Sequence, residues 1–149
     1  MEQKTFEKIK EELLLRAKKA GACQIGYAMG LRSQSKADIL KAITYNWFWV
    51  LRTARIVDAE YLEDNFTEEE LTEAGIYTQK YHEVTTTSFA CGSATVKAYG
   101  SATVKAYENS YVEDLTGNIR PQSGYAVIKD YYNHKIYIKK GRYRIVEVD

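Results

Sequence analysis

The residues with the widest chemical range in this sequence are two histidines, His82 and His134, and two cysteines, Cys23 and Cys91. A thiol becomes a nucleophile when an imidazole stands within hydrogen-bond reach to take its proton. Cys91 and His82 are near enough along the chain to raise that arrangement, and Glu83 and Asp130 are the carboxylates nearest the two imidazoles. Nothing in the pattern brings these groups together. The simpler expectation is a pair of buried, reduced thiols and a surface imidazole at His82. Two cysteines are too few for a disulfide framework or a cysteine-rich metal site. The acidic run Glu68-Glu69-Glu70 follows Thr67. In the first turn of a helix the macrodipole favours anions, so the run reads as a solvated helix start rather than a metal site. The HExxH pattern, a phosphate-binding glycine loop and GxGxxG are all missing from the sequence. The expectation is therefore a non-enzyme with no catalytic residue, metal or cofactor, and a small Cys/His hydrolase is the least favoured of three readings.

What the residue types do offer is contact chemistry. The stretch GSATVKAYGSATVKAY, residues 92–107, writes one eight-residue phrase twice without change. Outward Thr95, Lys97, Tyr99, Thr103, Lys105 and Tyr107 would form a regular flat surface of rings, hydroxyls and ammonium groups. Tyrosine supplies much contact area for little lost side-chain entropy, so such a surface suits a protein or a glycan. The same types are also ordinary residues of an exposed pleat. A second patch, Lys135, Lys139, Lys140, Arg142 and Arg144, gathers five positive charges in ten residues. It would serve nucleic acid or an acidic partner, or simply protect an edge strand from aggregation. A third candidate is Trp49. At 100° per residue Trp47 and Trp49 point about 200° apart on a helix, so both cannot face one core: either the helix is buried on most sides, or one ring packs on its own core and the other docks on a neighbour. That neighbour is the second half of the chain or another molecule, and an exposed Trp49 would favour a homodimer.

These residues need elements to hold them, and the duplicated phrase is informative there. The octads GSATVKAY, GSATVKAY, ENSYVEDL and GYAVIKDY place Val96, Val104, Val112 and Ile128 at one position and Lys97, Lys105, Glu113 and Lys129 at the next. TGNIRPQS, between them, matches with a slip of one residue. If the Gly–Ser pairs were hairpin turns, Val96 would oppose Lys105 and Ala94 would oppose Tyr107. Directly opposed residues share a face, so neither face of such a meander could be cleanly buried. Parallel coils of about 16 residues, two octads each, keep like with like. Val96, Val112 and Ile128 then form one inward column, and Val104, Ile119 and Ile136 approximately another. Ala94, Ala98, Ala102 and Ala106 flank them, and Lys97, Glu113 and Lys129 form an outward column of alternating sign.

The phrase SATVKAY resembles the "SATV-charged-Ala-aromatic" octapeptide units of a loosely defined group of bacterial and phage repeat proteins. The resemblance covers about residues 87–131 and the ending KIYIKKGRYRIVEV, and it implies a β-solenoid with no activity. A solenoid requires covers at its terminal rungs. At the C-terminal end KIYIKKGRYRIV predicts an antiparallel hairpin over about 135–148, with Ile138 opposite Tyr143, Ile136 opposite Ile145 and Tyr137 opposite Arg144.

The N-terminal part reads as helices and is the natural cover for the other end. Thr5 can cap a stripe of Phe6, Ile9, Leu13, Ala17 and Ala20 that stops at Gly21. Ser35 and Asp38 predict a capping box before a second stripe, Ile39, Ile43, Trp47, Val50 and Ala54. Thr67 and Glu70 repeat that logic before Leu71, with Gly75 as the stop. The fold class expected is α+β: a small helical unit over residues 1–80 capping a short parallel β-solenoid over 81–149. Lys plus Arg total 21 and Asp plus Glu 20, so no global field steers the protein onto nucleic acid or a membrane. The charged N-terminus lacks the apolar stretch of a signal peptide, and a cytoplasmic setting is expected. The favoured function is a non-catalytic interaction protein with a protein partner, in the setting of a phage or mobile-element effector. Nucleic-acid binding through the basic hairpin is the alternative.

Overall fold

The computed structural model describes residues 3–119, 126–140 and 142–148, with the side chains at 139, 140 and 142–145 outside the described set. Two compact units divide between Ala74 and Gly75, six residues before the expected boundary. The helical unit contains α1 (Phe6–Lys19), α2 (Gln24–Arg32), α3 (Lys36–Tyr45), a π-helical turn (Trp49–Thr53), α4 (Ala59–Asn65) and α5 (Glu68–Glu73). Short polar side chains start these helices as the sequence indicates. The Lys8 N–H donates to Thr5 Oγ1. Thr67 and Glu70 complete a reciprocal capping box at 3.1 Å in each direction. At α3 the Asp38 N–H donates to Ser35 Oγ, but the Asp38 carboxylate reaches back to the Gln34 N–H, one residue earlier than a capping box requires. Ile9, Leu40, Trp47, Leu62 and Phe66 are buried and form the centre of this unit.

Two local features depart from the sequence expectation. The stripe from Ile39 to Ala54 is not one continuous helix, because α3 ends at Asn46 and the chain resumes in the π-helical turn. The cause is local: Asn46 has non-helical dihedrals and its Nδ2 donates to the Ala42 carbonyl at 2.8 Å, a side-chain bond that competes with the backbone ladder. Downstream, the Ala54 N–H reaches the Trp49 carbonyl across the wider turn. Helices α2 and α4 also arise where hydrophobic spacing is weak. Their caps are Cys23, whose Sγ accepts from the Gly26 N–H, and Asp58, whose Oδ1 accepts from the Tyr61 N–H.

The second unit is a parallel β-solenoid of about three turns with 16 residues per turn, closed by antiparallel strands. Its strands are β1 (Ile76–Tyr77), β2 (Tyr81–Val84), β3 (Ser88–Ala90), β4 (Thr95–Ala98), β5 (Val104–Ala106), β6 (Tyr111–Asp114), β7 (Val127–Asp130), β8 (Lys135–Lys140) and β9 (Arg142–Glu147). Strands β1 to β6 alternate between a three-stranded sheet, β1-β3-β5, and a six-stranded sheet, β2-β4-β6-β7-β8-β9, which β7, β8 and β9 extend. Val96 pairs with Val112 and Val112 with Ile128, and all three are fully buried. Ala94, Ala98, Ala102 and Ala106 are buried beside them. Small side chains at those positions let two sheets approach across a thin interior. The first coil is tighter, with Tyr81 beside Thr95, a step of 14 residues.

The second inward column is corrected at its far end. Val104 and Ile119 are buried, but Ile136 pairs with Lys129 on the outward side and is only half-buried. Strands β8 and β9 do form the expected hairpin, with a register one residue away from the one expected. Tyr137 pairs with Ile145, Ile136 with Val146, Ile138 with Arg144 and Lys139 with Tyr143. The turn before the hairpin sets which face of β8 is buried. Asp130 pairs with Lys135 across residues 131–134, and its carboxylate accepts from the Asn133 N–H and Nδ2, both at 2.8 Å. Tyr137 therefore lands opposite Ile128 and is buried. A strand has period two, so a slip of one residue exchanges every side chain between faces.

Candidate functional site

The outer face of the six-stranded sheet is the most regular surface of the solenoid unit. One column runs Tyr81, Thr95, Tyr111 and Val127, and beside it runs Glu83, Lys97, Glu113 and Lys129. The alternating signs seen in the sequence thus extend one rung further, to Glu83. Directly opposed opposite charges contribute roughly 0.2–1 kcal/mol per pair, enough to favour this register over a stack of lysines. A third row follows the strands. The N–H groups of Tyr99, Leu115 and Tyr131 donate to the carbonyls of Val84, Ala98 and Asp114 on the preceding rungs.

These rows are tied together by the same contact made twice. The Tyr99 hydroxyl donates to Glu83 Oε1 at 3.1 Å and the Tyr131 hydroxyl to Glu113 Oε2 at 3.1 Å, each one rung back. Within each rung the lysine lies over the tyrosine ring: Lys97 over Tyr99 at 5.4 Å and Lys129 over Tyr131 at 4.7 Å. Such exposed cation–π contacts are worth about 0.5–1 kcal/mol and mainly fix orientation. The hydrogen bond with Tyr99, then nearby negative charge, holds the Lys97 ammonium above its ordinary range. Burial pushes the Tyr111 hydroxyl up, and burial followed by the Glu83 carboxylate does the same at Tyr81. Tyr81, Leu115 and Tyr131 are exposed on this face.

The six repeat residues are not one surface. Thr95, Lys97 and Tyr99 belong to this face, while Thr103, Lys105 and Tyr107 lie on or beside β5 in the three-stranded sheet. There Lys105 sits over the Phe89 ring at 5.8 Å and the Thr103 hydroxyl donates to Thr87 Oγ1 at 3.1 Å. An octad is half a coil, so identical phrases send identical side chains to opposite sides of the stack. Trp49 is half-buried in the helical unit, where it lines a cavity between helices, and Trp47 is the tryptophan of the core. In the hairpin Lys140 pairs with Arg142 through the backbone. The side chains of Lys139, Lys140, Arg142 and Arg144 lie outside the described residues.

His82 has found other company. Its Nε2 is 2.9 Å from the Gln79 carbonyl oxygen and its ring is 4.4 Å from that of Tyr77. Cys91 is fully buried, while Cys23 is exposed at the N-terminus of α2, against the expectation that both thiols are buried. Among the described residues no group of three or more His, Cys, Asp and Glu side chains could hold a metal ion.

Sequence reasoning missed two carboxylates. Asp114 and Asp130 are fully buried and directly opposed on adjacent rungs. Asp114 accepts from the N–H groups of Thr116, Gly117 and Ile119 and from the Thr116 hydroxyl, so it ties down a corner of the coil. The signal was present: both octads put Asp where the duplicated phrase has Ala98 or Ala106, and a Gly or Asn follows three residues on, as an aspartate-stabilised turn requires. Comparison with protein-family models, curated proteins and solved structures finds no match for this chain.

Proposed function

We propose that this protein is a non-catalytic interaction protein that docks a protein partner on the outer face of its six-stranded sheet. The observation that carries this reading is the repeated Glu–Lys–Tyr contact, in which Tyr99 and Tyr131 are oriented by Glu83 and Glu113 and covered by their own lysines. Rings already held in one orientation lose little entropy when a partner packs on them. The face also repeats every 16 residues after a first step of 14, which suits an extended partner contacting several rungs. Work in the cytoplasm as an effector fits the likeness to bacterial and phage octapeptide-repeat proteins. The immobilised chain should capture a partner from native lysate, and the double variant Tyr99→Ser, Tyr131→Ser should lose it. Equal capture by both, or capture by neither, overturns the reading. Capture that the double variant keeps and added salt abolishes would move the contact to the basic hairpin, because counterion release drives such binding.

A further inference from the structure

The helical unit holds a cavity of about 220 Å³ between α1, α2, α3 and the π-helical turn. Its origin is legible in α2. This helix has no fully buried residue, and its large aliphatic side chains face the wrong way for a core: Ile25 is 73% exposed and Leu31 51%. Toward the interior it presents Gly26 and Gly30, one turn apart, with Tyr27 beside them. Gly30 lets α2 close on α1, since a Cβ there would lie 2.8 Å from Leu14 Cδ2. At Gly26 a Cβ would meet nothing nearer than 3.4 Å. Where a packed helix would insert Leu or Ile, this one leaves space.

The lining defines what fits that space. Leu13 and Ala17 of α1 and Ile39 and Ile43 of α3 supply aliphatic walls, and Tyr27 and Trp49 supply two rings. No carboxylate takes part. Lys10 is at the edge, but its ammonium donates to the carbonyls of Leu31 and Ser33, both at 2.8 Å, and so is engaged by the backbone. Asn46 donates through Nδ2 to Ala42, and its Oδ1 lies on the Gly26 side as an acceptor. Exposed Gly21 and Cys23 line the same cavity, so it is reached from solvent at the N-terminal end of α2.

We infer that this cavity is a binding site for a small, neutral, planar aromatic molecule carrying one hydrogen-bond donor, of the size of indole. An apolar cavity of about 150 Å³ in an engineered protein admits benzene, and the larger volume here suits a two-ring molecule. Concave apolar sites with one or two placed polar groups are the usual form of small-molecule sites. The site lies wholly in the helical unit and does not depend on the proposed docking face.

Indole itself is the probe, titrated by calorimetry into the intact chain and checked by thermal shift. Saturable one-to-one binding with a raised melting temperature is expected, with N-methylindole binding about five-fold or more weakly because it cannot donate to Asn46. Filling the cavity from α3 with Ala42→Leu, or from α1 with Ala17→Leu, should weaken indole at least about ten-fold while the helical circular dichroism is kept. Two fillings from different helices guard against one of them failing to fold. No saturable binding by the unmodified chain overturns the inference, as does unchanged binding by the folded filled variants. Tighter binding of decanoate than of indole overturns the assignment to a neutral aromatic, and equal affinity for indole and N-methylindole overturns the donor.

Discussion

Tyr61 shows how one side chain can make the helical unit sensitive to alkali. Its hydroxyl is enclosed and has no hydrogen-bond partner among the described residues, while Arg16 and Lys4 lie over the ring at 5.0 and 5.5 Å. Burial, then the neighbouring Glu12 carboxylate, pushes its pKa up to about 12. The sign follows: the raised folded-state value contributes stability that is fully present below about pH 10 and is lost as pH rises toward 12. Tyr61→Phe should stabilise the unit by about 1 kcal/mol at pH 7, since the enclosed hydroxyl goes, and should flatten the fall in melting temperature between pH 10 and 12. An alkaline melting series of both proteins decides it. At the solenoid corner the argument runs the other way. Asp114→Ala leaves the buried N–H groups of Gly117 and Ile119, and the half-buried N–H and hydroxyl of Thr116, without their acceptor and should cost about 3–4 kcal/mol in urea denaturation, well above the cost of a surface carboxylate. The buried Asp114 and Asp130 were overlooked despite their signal in the octads, because an Asp in a strand with charged neighbours looks exposed. Only the corner turn, with Gly117 at a positive φ of 77° three residues on, explains its burial.

Among the elements, the ones easiest to read were those in which local and tertiary forces agree. Thr5, Ser35 and Thr67 each have a following N–H to accept from and an apolar stripe to bury, and each starts a helix at the expected residue. The parallel pairing of Val96 with Val112 and Ile128 was equally legible, because period-two alternation and exact repetition specify one register. Helix α2 was not legible, since its inward residues are glycines and hydrophobic spacing is the signal a sequence reader uses. The closing hairpin shows a finer limit: its existence followed from composition, but which face of β8 turns inward came from the Asp130–Asn133 turn upstream. That orientation is testable. Tyr137→Lys places a charge opposite Ile128 and should destabilise the solenoid by about 3 kcal/mol or more, whereas Ile136→Lys, on the outward side beside Lys129, should stay within about 1 kcal/mol. Chemical denaturation of the two variants would show the reverse order if Ile136 rather than Tyr137 faced inward.

At the scale of the molecule, a coil of 16 residues built from two octads makes length a quantised property of the solenoid. Excising residues 92–107 removes one full coil and rejoins Cys91 to Glu108, so every later strand stays in its own sheet. The shortened chain should keep its β-sheet circular dichroism and a cooperative, if lower, unfolding transition. Excising only 100–107 removes half a coil and would send β6 to the three-stranded side, where its buried Asp114 loses its partner rung; that chain should fail to unfold cooperatively. The same two measurements discriminate the parallel stack from any hairpin arrangement, for which the two deletions would behave alike. The switch from parallel to antiparallel pairing between β7 and β8 has a further effect. The two outer strands of the six-stranded sheet are unlike, since β2 is met in parallel and β9 antiparallel. A fibril grows when each incoming copy reads the same edge that it then presents to the next. The two reversals cancel, so β9 runs in the same direction as β2, but β8 and β9 extend the six-stranded sheet alone; a copy arriving there finds no three-stranded sheet to continue its coil, which works against runaway polymerisation.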